Sequence, residues 1–182
     1  GVGVVGSSVA LGLAQQGHKV AIVDKSPIPP NSPRHLSVNK KSSAFLDSLG
    51  VWESVKSSSM PYSKIQAWDR EGTGKVEFSA KDIGENNLGF IVREGDLQDF
   101  LVASLKQERV DIFWSKELVN IEDKEGLVEI SLDDGEKIIC SSLLGADGIS
   151  SKVRELCNFK IKSWSYDQQA IVGQIDSREK LD

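Results

Sequence analysis

The sequence is short of several residue types, and each shortage limits what the protein can be. It has two cysteines, Cys140 and Cys157, among 182 residues, and neither lies in a CxxC pair or another metal-ligand spacing. We therefore expect neither a disulfide framework nor a metal site, and a reducing compartment inside the cell fits this usage. No apolar run is as long as a membrane span, and the first residues lack the basic start and cleavage site of a signal peptide.

An excess of positive charge is also missing. The chain has 22 Lys and Arg against 27 Asp and Glu, a net charge of −5. Nucleic-acid-binding proteins present basic patches or stripes, so we predict no nucleic-acid partner. A dinucleotide is different, because backbone N–H groups and the positive end of a helix can hold its phosphates without basic side chains.

The first residues predict a glycine turn, a helix and a buried strand. Apolar residues recur at helical spacing after the turn, and Gly17 lies where a helix ends in a left-handed residue. Residues 20–23 then read Val-Ala-Ile-Val and end at Asp24. This is a βαβ unit without its first strand. Because Gly1 falls inside the turn motif and is not a methionine, we expect the chain to be a fragment.

The remaining pattern alternates helices and strands. We predict a helix over 37–49, with Ser37 as its cap and Gly50 as its end. A second helix is predicted over 96–106, with an inward face formed by Leu97, Phe100, Leu101 and Leu105. Predicted strands fall within 64–78, at 89–92, 110–114, 118–121, 127–132, 137–140 and 143–146, with a strand-like tail at 166–175.

The glycine turn carries the first functional motif. Gly1, Gly3 and Gly6 form GxGxxG, in which the first glycine permits the turn, the second lets a pyrophosphate approach, and the third lets helix and strand pack closely. Asp24 follows Gly6 by 18 residues, at a strand end where a carboxylate can accept the hydroxyls of an adenosine ribose. A carboxylate there would repel the 2′-phosphate of NADP, but the motif does not distinguish FAD from NAD.

A second motif, Gly-Ala-Asp-Gly at 145–148, continues as Ile-Ser-Ser-Lys-Val-Arg. Asp147 and Gly148 could meet the ribose or pyrophosphate region of a cofactor; the alternative is that Asp147 caps the following helix. The segment resembles the GADGxxSxVR motif of the flavoprotein hydroxylases of the para-hydroxybenzoate hydroxylase type. In that family it serves FAD and the transient NAD(P)H, so the resemblance implies FAD as cofactor and NAD(P)H as co-substrate.

Four further stretches are similar to the ubiquinone-biosynthesis hydroxylase branch of this family. They read LGVW at 49–52, AWD at 67–69, LGFIV at 88–92 and YDQQAIV at 166–172. The resemblance implies that Arg34 and Ser37 lie near the flavin and that Gln98 approaches the cofactor. Glu94 departs from the family, which usually has asparagine or arginine there.

The resemblance implies an α/β fold, a Rossmann-like FAD-binding domain of the glutathione-reductase type. Residues 1–62 and 88–160 would form it, with an inserted β-meander at about 117–140. Residues 63–87 and 161–182 would be incomplete parts of a substrate-binding sheet. We expect the first strand and the C-terminal part to be missing, which would leave the fragment inactive.

The implied reaction is the hydroxylation of an aromatic ring. NAD(P)H reduces FAD, reduced flavin reacts with O2, and a flavin hydroperoxide transfers one oxygen atom to the substrate. Because the cofactor carries this chemistry, we expect no catalytic side chain. The implied substrate is a small aromatic compound, with or without a prenyl chain. The implied location is the cytoplasm or, in a eukaryote, the mitochondrial matrix, with a contact to the inner membrane or to a quinone-biosynthesis assembly.

Two other classes of function stay open. An NAD-dependent dehydrogenase would use the same GxGxxG, but it would not explain the second motif or the strands between 117 and 140. The second class is a noncatalytic cofactor-binding or assembly protein descended from a hydroxylase.

Overall fold

The structure, a computed structural model, describes residues 1–28 and 32–173. This part of the chain contains both helices and strands, and the strands form four small sheets. In chain order the elements are α1 (Val4–Gln15), β1 (Ala21–Asp24), β2 (His35–Asn39), α2 (Lys40–Ser48), α3 (Trp52–Lys56), β3 (Met60–Tyr62), β4 (Lys64–Trp68), β5 (Lys75–Ser79), a 3-10 turn (Ala80–Ile83), β6 (Gly89–Arg93), α4 (Glu94–Gln107), β7 (Asp111–Trp114), β8 (Leu118–Lys124), β9 (Leu127–Leu132), β10 (Lys137–Cys140) and α5 (Lys152–Leu156).

A parallel strand pair organises the N-terminal part. β1 and β7 pair in parallel, with Ala21 opposite Asp111 and Asp24 opposite Trp114. Helix α1 precedes β1 and helix α4 precedes β7, so each strand follows the helix that connects into it. Gly17, with φ of 85°, lies just beyond the end of α1 in the left-handed region, as predicted. Together these elements place the glycine turn, at the start of α1, next to Asp24, at the end of β1.

Helix α4 supplies much of the core. Leu97, Leu101 and Leu105 are at most 1% exposed, and their i, i+4 spacing puts them on one side of the helix. Burying each such leucine contributes about 1.5–3 kcal/mol. The prediction for Phe100 is wrong, because this side chain is 36% exposed. The buried side also includes Val102, which lies across the leucine row from Phe100, so the stripe is rotated away from the phenylalanine.

Strands β2, β6 and β3 form an antiparallel sheet in which β6 is central. Ser37 lies within β2, opposite Ile91, and does not cap a helix as predicted. The cap of α2 is Asn39, whose side-chain oxygen accepts the Ser42 N–H at 2.9 Å. The strand pairing continues to Asn39, so the helix can begin only after it. Gly50, with φ of 73°, follows the end of α2, and that prediction is confirmed.

The other strands form two antiparallel sheets. β8, β9 and β10 follow one another through tight turns at Gly126 and Gly135, whose φ values of 91° and 88° favour glycine. β4 and β5 form a separate hairpin. All five residues of β4 are exposed, so this hairpin packs against little else among the described residues.

Two expected strands are not formed. Residues 143–146 belong to no strand. A strand requires a neighbour that takes up its N–H and C=O groups, and no described strand pairs with this segment. In the predicted tail strand, residues 166–173 also form no strand, and 174–175 lie outside the described residues.

Candidate functional site

The glycine turn leads directly into helix α1, and Gly3 is its N-cap. Glycine offers no side-chain acceptor, and the first turn of α1 contains no acidic residue. The first N–H groups of any helix have no partner within it, and the helix dipole adds partial positive charge there. This end of α1 is therefore open to an anion such as a phosphate.

The three glycines of the turn have different surroundings. A Cβ built on Gly6 would lie 2.0 Å from the carbonyl oxygen of Gly1, and one on Gly1 would lie 2.8 Å from the carbonyl oxygen of Ala146. A Cβ on Gly3 would have nothing within 4 Å. Gly1 and Gly6 thus permit close packing, whereas Gly3 borders open space. An approaching pyrophosphate requires this arrangement.

The contact of Gly1 with Ala146 brings the two motifs together. A Cβ on Gly1 would also lie 3.2 Å from the Cα of Asp147. Segments 145 residues apart in sequence are therefore in backbone contact. Local sequence patterns do not predict such a contact, since each motif is read separately.

Asp24 holds the turn in place at the end of β1. Its Oδ2 accepts the Val2 N–H at 2.6 Å, and its Oδ1 accepts the Ser26 N–H at 2.8 Å. A carboxylate has about four lone-pair sites, so each oxygen keeps acceptor capacity. The side chain can fix the turn and still accept ribose hydroxyls.

Gln98 and Ser7 bind the next peptide group of the turn, through the carbonyl of Val2. The Gln98 Nε2 donates to the carbonyl oxygen of Val2 at 2.7 Å, and the Ser7 Oγ donates to it at 3.2 Å. Gln98 is 3% exposed and Ser7 is fully buried. Ser7 was not among the site residues predicted from the sequence. The only sequence feature that could have indicated Ser7 is its polar side chain one position after the last glycine of the motif.

Asp147 directs its carboxylate at the start of α5. Its Oδ1 accepts the Ser151 hydroxyl at 2.5 Å, and its Oδ2 accepts the N–H groups of Lys152 at 2.6 Å and Val153 at 3.1 Å. Burial raises the pKa of Asp147, but these hydrogen bonds outweigh it, so that the pKa lies below its ordinary value. Asp147 thus accepts the first two N–H groups of α5, as the capping alternative expects, while Ser151 is the N-cap residue itself and accepts the Arg154 N–H. Gly148 follows with φ of 83°, a left-handed conformation that residues other than glycine rarely adopt.

The lowered pKa of Asp147 predicts a pH dependence. A carboxyl whose pKa is lower in the folded state stabilises the fold above its unfolded pKa of about 3.9 and loses that contribution as pH falls through the folded pKa. We expect Asp147→Ala to cost about 1 kcal/mol at pH 7, the usual effect of losing a helix cap. The difference from wild type should shrink below about pH 4. Thermal unfolding at pH 7, 4 and 3 measures it, and a difference that stays constant with pH would contradict this role.

Arg34 and Ser37 have contacts away from the glycine turn. The Arg34 Nε lies 3.7 Å from the Glu94 Oε2, and its side chain is 73% exposed. Glu94 also accepts the Ser32 hydroxyl at 2.6 Å. The Ser37 Oγ lies 2.7 Å from the hydroxyl of Tyr62. Both residues keep polar atoms exposed on the β2 side, but neither contacts the two motifs in the described structure.

Two negative findings concern the described residues alone. Within 1–28 and 32–173, no group of three or more His, Cys, Asp or Glu side chains could bind a metal. None of the helices in this part of the chain is both long and apolar enough to span a membrane.

Comparison with known proteins gives relatives over almost the whole chain. It is 31% identical over 180 residues to the 3-demethoxyubiquinol 3-hydroxylase of Escherichia coli (strain K12), an alignment covering 94% of this chain and 46% of that protein. It is 26% identical over 201 residues to the mitochondrial ubiquinone biosynthesis monooxygenase COQ6 of Mus musculus, covering 98% and 42%. The chain therefore spans about half the length of these curated relatives.

A solved structure and a family model agree with these relatives. A mutant of 2-methyl-3-hydroxypyridine-5-carboxylic acid oxygenase has 27% identity and a TM-score of 0.70, covering 88% of this chain and 41% of that one. The family model described as an FAD binding domain matches residues 1–180. The glycine turn, Asp24 and the second motif thus lie within a match that spans the chain, and the protein belongs to the family of FAD-binding domains found in flavoprotein hydroxylases.

Proposed function

We propose that the intact protein is an FAD-dependent monooxygenase that hydroxylates the aromatic ring of a ubiquinone precursor, with NAD(P)H as reductant and O2 as the source of oxygen. The observation that carries the proposal is the backbone contact between Gly1 and the Ala146–Asp147 segment. A dehydrogenase using GxGxxG alone has no need of a second motif at its phosphate turn. The hydroxylase names of the relatives add the reaction class.

The described residues fit the ADP half of FAD. The first turn of α1 offers uncapped N–H groups to the pyrophosphate beside the open face of Gly3. Asp24 is placed to accept the ribose hydroxyls with its remaining lone pairs. Gly148 offers a backbone without a side chain at the second motif. FAD supplies the redox and oxygen chemistry when bound, and the protein binds and orients it.

We place Arg34 and Ser37 on the flavin side of the site. Arg34 directly precedes β2 and Ser37 lies within it, and both residues are exposed. The Arg34 guanidinium can pair with a phosphate or a flavin carbonyl oxygen. This placement rests on the family resemblance, and the exposure of both side chains is compatible with it.

We also propose the domain division predicted from the sequence. Residues 1–62 and 88–160 form a Rossmann-like domain of the glutathione-reductase type, and 63–87 begins a substrate-binding sheet. The exposed hairpin β4–β5 supports this, because its residues lack the packing of a finished sheet. Residues 161–182 would join the same sheet, although 174–182 lie outside the described residues.

The substrate we propose is apolar and aromatic, as a prenylated phenol is. Such a compound partitions into membranes, so the intact enzyme would contact a membrane surface or a quinone-biosynthesis assembly. In a bacterium the protein would be cytoplasmic; in a eukaryote it would be in the mitochondrial matrix. The mitochondrial relative supports the second location.

The test is oxygen incorporation by the purified intact gene product. We expect NADH or NADPH oxidation to accelerate when a prenylated phenol is added, and mass spectrometry to find one labelled oxygen atom in the product under 18O2. NAD(P)H oxidation that no aromatic compound accelerates, with no labelled product from a panel of phenols, would contradict the hydroxylase proposal.

Asp24 provides a prediction for the cofactor site. We expect Asp24→Ala to weaken FAD binding about 10- to 100-fold, because it removes the ribose acceptor and frees the Val2 N–H, at about 1.5–3 kcal/mol for hydrogen bonds to a charged group. Quenching of flavin fluorescence measures the affinity. Asp47→Asn, in helix α2, is the matched control and should bind as wild type does. Unchanged affinity in Asp24→Ala would place the ribose elsewhere.

A further inference from the structure

The N–H and the carbonyl of Val2, which belong to two successive peptide groups, are both hydrogen-bonded to side chains. Asp24 accepts its N–H at 2.6 Å, while Gln98 donates to its carbonyl oxygen at 2.7 Å and Ser7 donates at 3.2 Å. The Val2 side chain is fully buried. The backbone just before Gly3 is therefore fixed by three side chains and by packing.

The Gln98 contact is built into the core. Gln98 is 96 residues from Val2 in sequence, is 3% exposed, and lies on the buried side of α4 beside Leu97 and Leu101. A buried amide without a partner costs about 1–3 kcal/mol, so this side chain needs its acceptor. Among the described residues the hydrogen bond joins α4 to the glycine turn directly.

This hydrogen bond controls the direction of another group. The carbonyl of Val2 and the N–H of Gly3 belong to one planar, trans peptide unit, so they point in opposite directions. When Gln98 fixes the carbonyl toward α4, the Gly3 N–H points away from α4. No hydrogen bond among the described residues uses the Gly3 N–H, and Gly3 borders open space.

We propose that Gln98 is a positioning residue for the cofactor's pyrophosphate. It acts through the Val2–Gly3 peptide and aims the Gly3 N–H at the phosphates, without touching the cofactor. This role is indirect, whereas the family resemblance implied that Gln98 itself approaches the cofactor. The inference rests on the proposed binding of FAD at the glycine turn.

The test compares two ligands on the apo form of the intact gene product. ADP carries the pyrophosphate and the adenosine ribose but no flavin. Gln98→Met keeps the side-chain length and removes the donor. We expect its affinities for FAD, by fluorescence quenching, and for ADP, by calorimetry, to fall by the same factor of about 5 to 10, as the loss of one hydrogen bond predicts.

Two other outcomes would overturn the proposal. A loss of FAD affinity with unchanged ADP affinity would mean that Gln98 contacts the flavin half. A lower melting temperature with both affinities unchanged, measured well below that temperature, would mean that Gln98 only packs. Val102→Ala is the matched control: Val102 is 6% exposed on the same helix, so its variant should lose stability without losing affinity for either ligand.

Ser7→Ala keeps the inference testable if Gln98→Met does not fold. Its bond to the same carbonyl is longer, so we expect a smaller loss of about 2- to 3-fold, again equal for FAD and ADP. Unequal losses, or none, would contradict the proposal. A wild-type protein that binds neither FAD nor ADP would overturn the proposed function itself, and this inference with it.

Discussion

Replacing Gly3 with valine is expected to weaken FAD binding at least about 100-fold while the protein remains folded. A Cβ on Gly3 meets nothing within 4 Å, and its φ of −70° and ψ of 174° suit any residue. The valine side chain would occupy the space that a pyrophosphate needs in order to reach the N–H groups of α1. Losing one or two hydrogen bonds to a charged phosphate, at about 1.5–3 kcal/mol each, gives a loss of this size.

Flavin fluorescence titration and thermal unfolding of the apo protein measure the two quantities separately. Gly12→Ala is the matched control on the same helix, since its Cβ would lie 3.4 Å from a Leu49 methyl group, an ordinary contact distance. It should bind FAD normally. A Gly3→Val protein with wild-type affinity would show that the pyrophosphate does not lie at this turn.

The opposite result is expected at Gly6. A Cβ there would lie 2.0 Å from the carbonyl oxygen of Gly1, and backbone cannot yield as a flexible side chain can. Helix α1 would have to move away from the turn and from the second motif. We expect Gly6→Ala to destabilise the apo protein by about 3 kcal/mol or more, at the upper end for an overpacked core. For a domain of this size that lowers the melting temperature by about 6–12 °C.

Calorimetry of the apo protein is the measurement for Gly6→Ala. Gly74→Ala serves as control, because Gly74 also lacks neighbours within 4 Å and has no positive φ; its melting temperature should stay within a degree or two of wild type. A Gly6→Ala protein as stable as Gly74→Ala would mean that α1 does not pack on the turn at this distance. Together, Gly3→Val and Gly6→Ala test FAD affinity and folding stability separately within one motif.

The sequence predicted those elements that are set by short-range patterns. Helix α1, with Gly17 just beyond its end, and strand β1 follow from apolar spacing and one glycine, and the leucines of α4 repeat every four residues. The start of α2 was misplaced because Ser37 and Asn39 are both good caps. Only the pairing of β2 with β6 decides that the strand includes Ser37 and that Asn39 caps the helix.

Long-range packing determines the buried side of α4 and the role of Gln98, neither of which the sequence predicted. From the sequence, Phe100 fits an apolar stripe on α4 together with the leucines. In the structure Gln98 and Val102 are buried instead, so the buried side extends from the leucines away from Phe100. The role of Gln98 depends on a carbonyl 96 residues away. A polar residue with no local partner gives no pattern that would reveal such a bond.

The second motif shows how one residue can fit two interpretations. Asp147 matches the family's cofactor motif, and it also stands before a helix that needs acceptors for its first N–H groups. The structure shows both carboxylate oxygens at the start of α5. A role of Asp147 at the cofactor stays a prediction, together with that of Gly148 and of the contact of this segment with Gly1.

We propose that the glycine turn and the second motif together hold FAD. The most direct measurement is the absorption spectrum of the purified intact gene product, with mass identification of the cofactor that heat releases. We expect flavin absorption bands and released FAD. Bound NAD without flavin would contradict it and favour a dehydrogenase, and a product that takes up no cofactor after incubation with FAD would favour a noncatalytic protein.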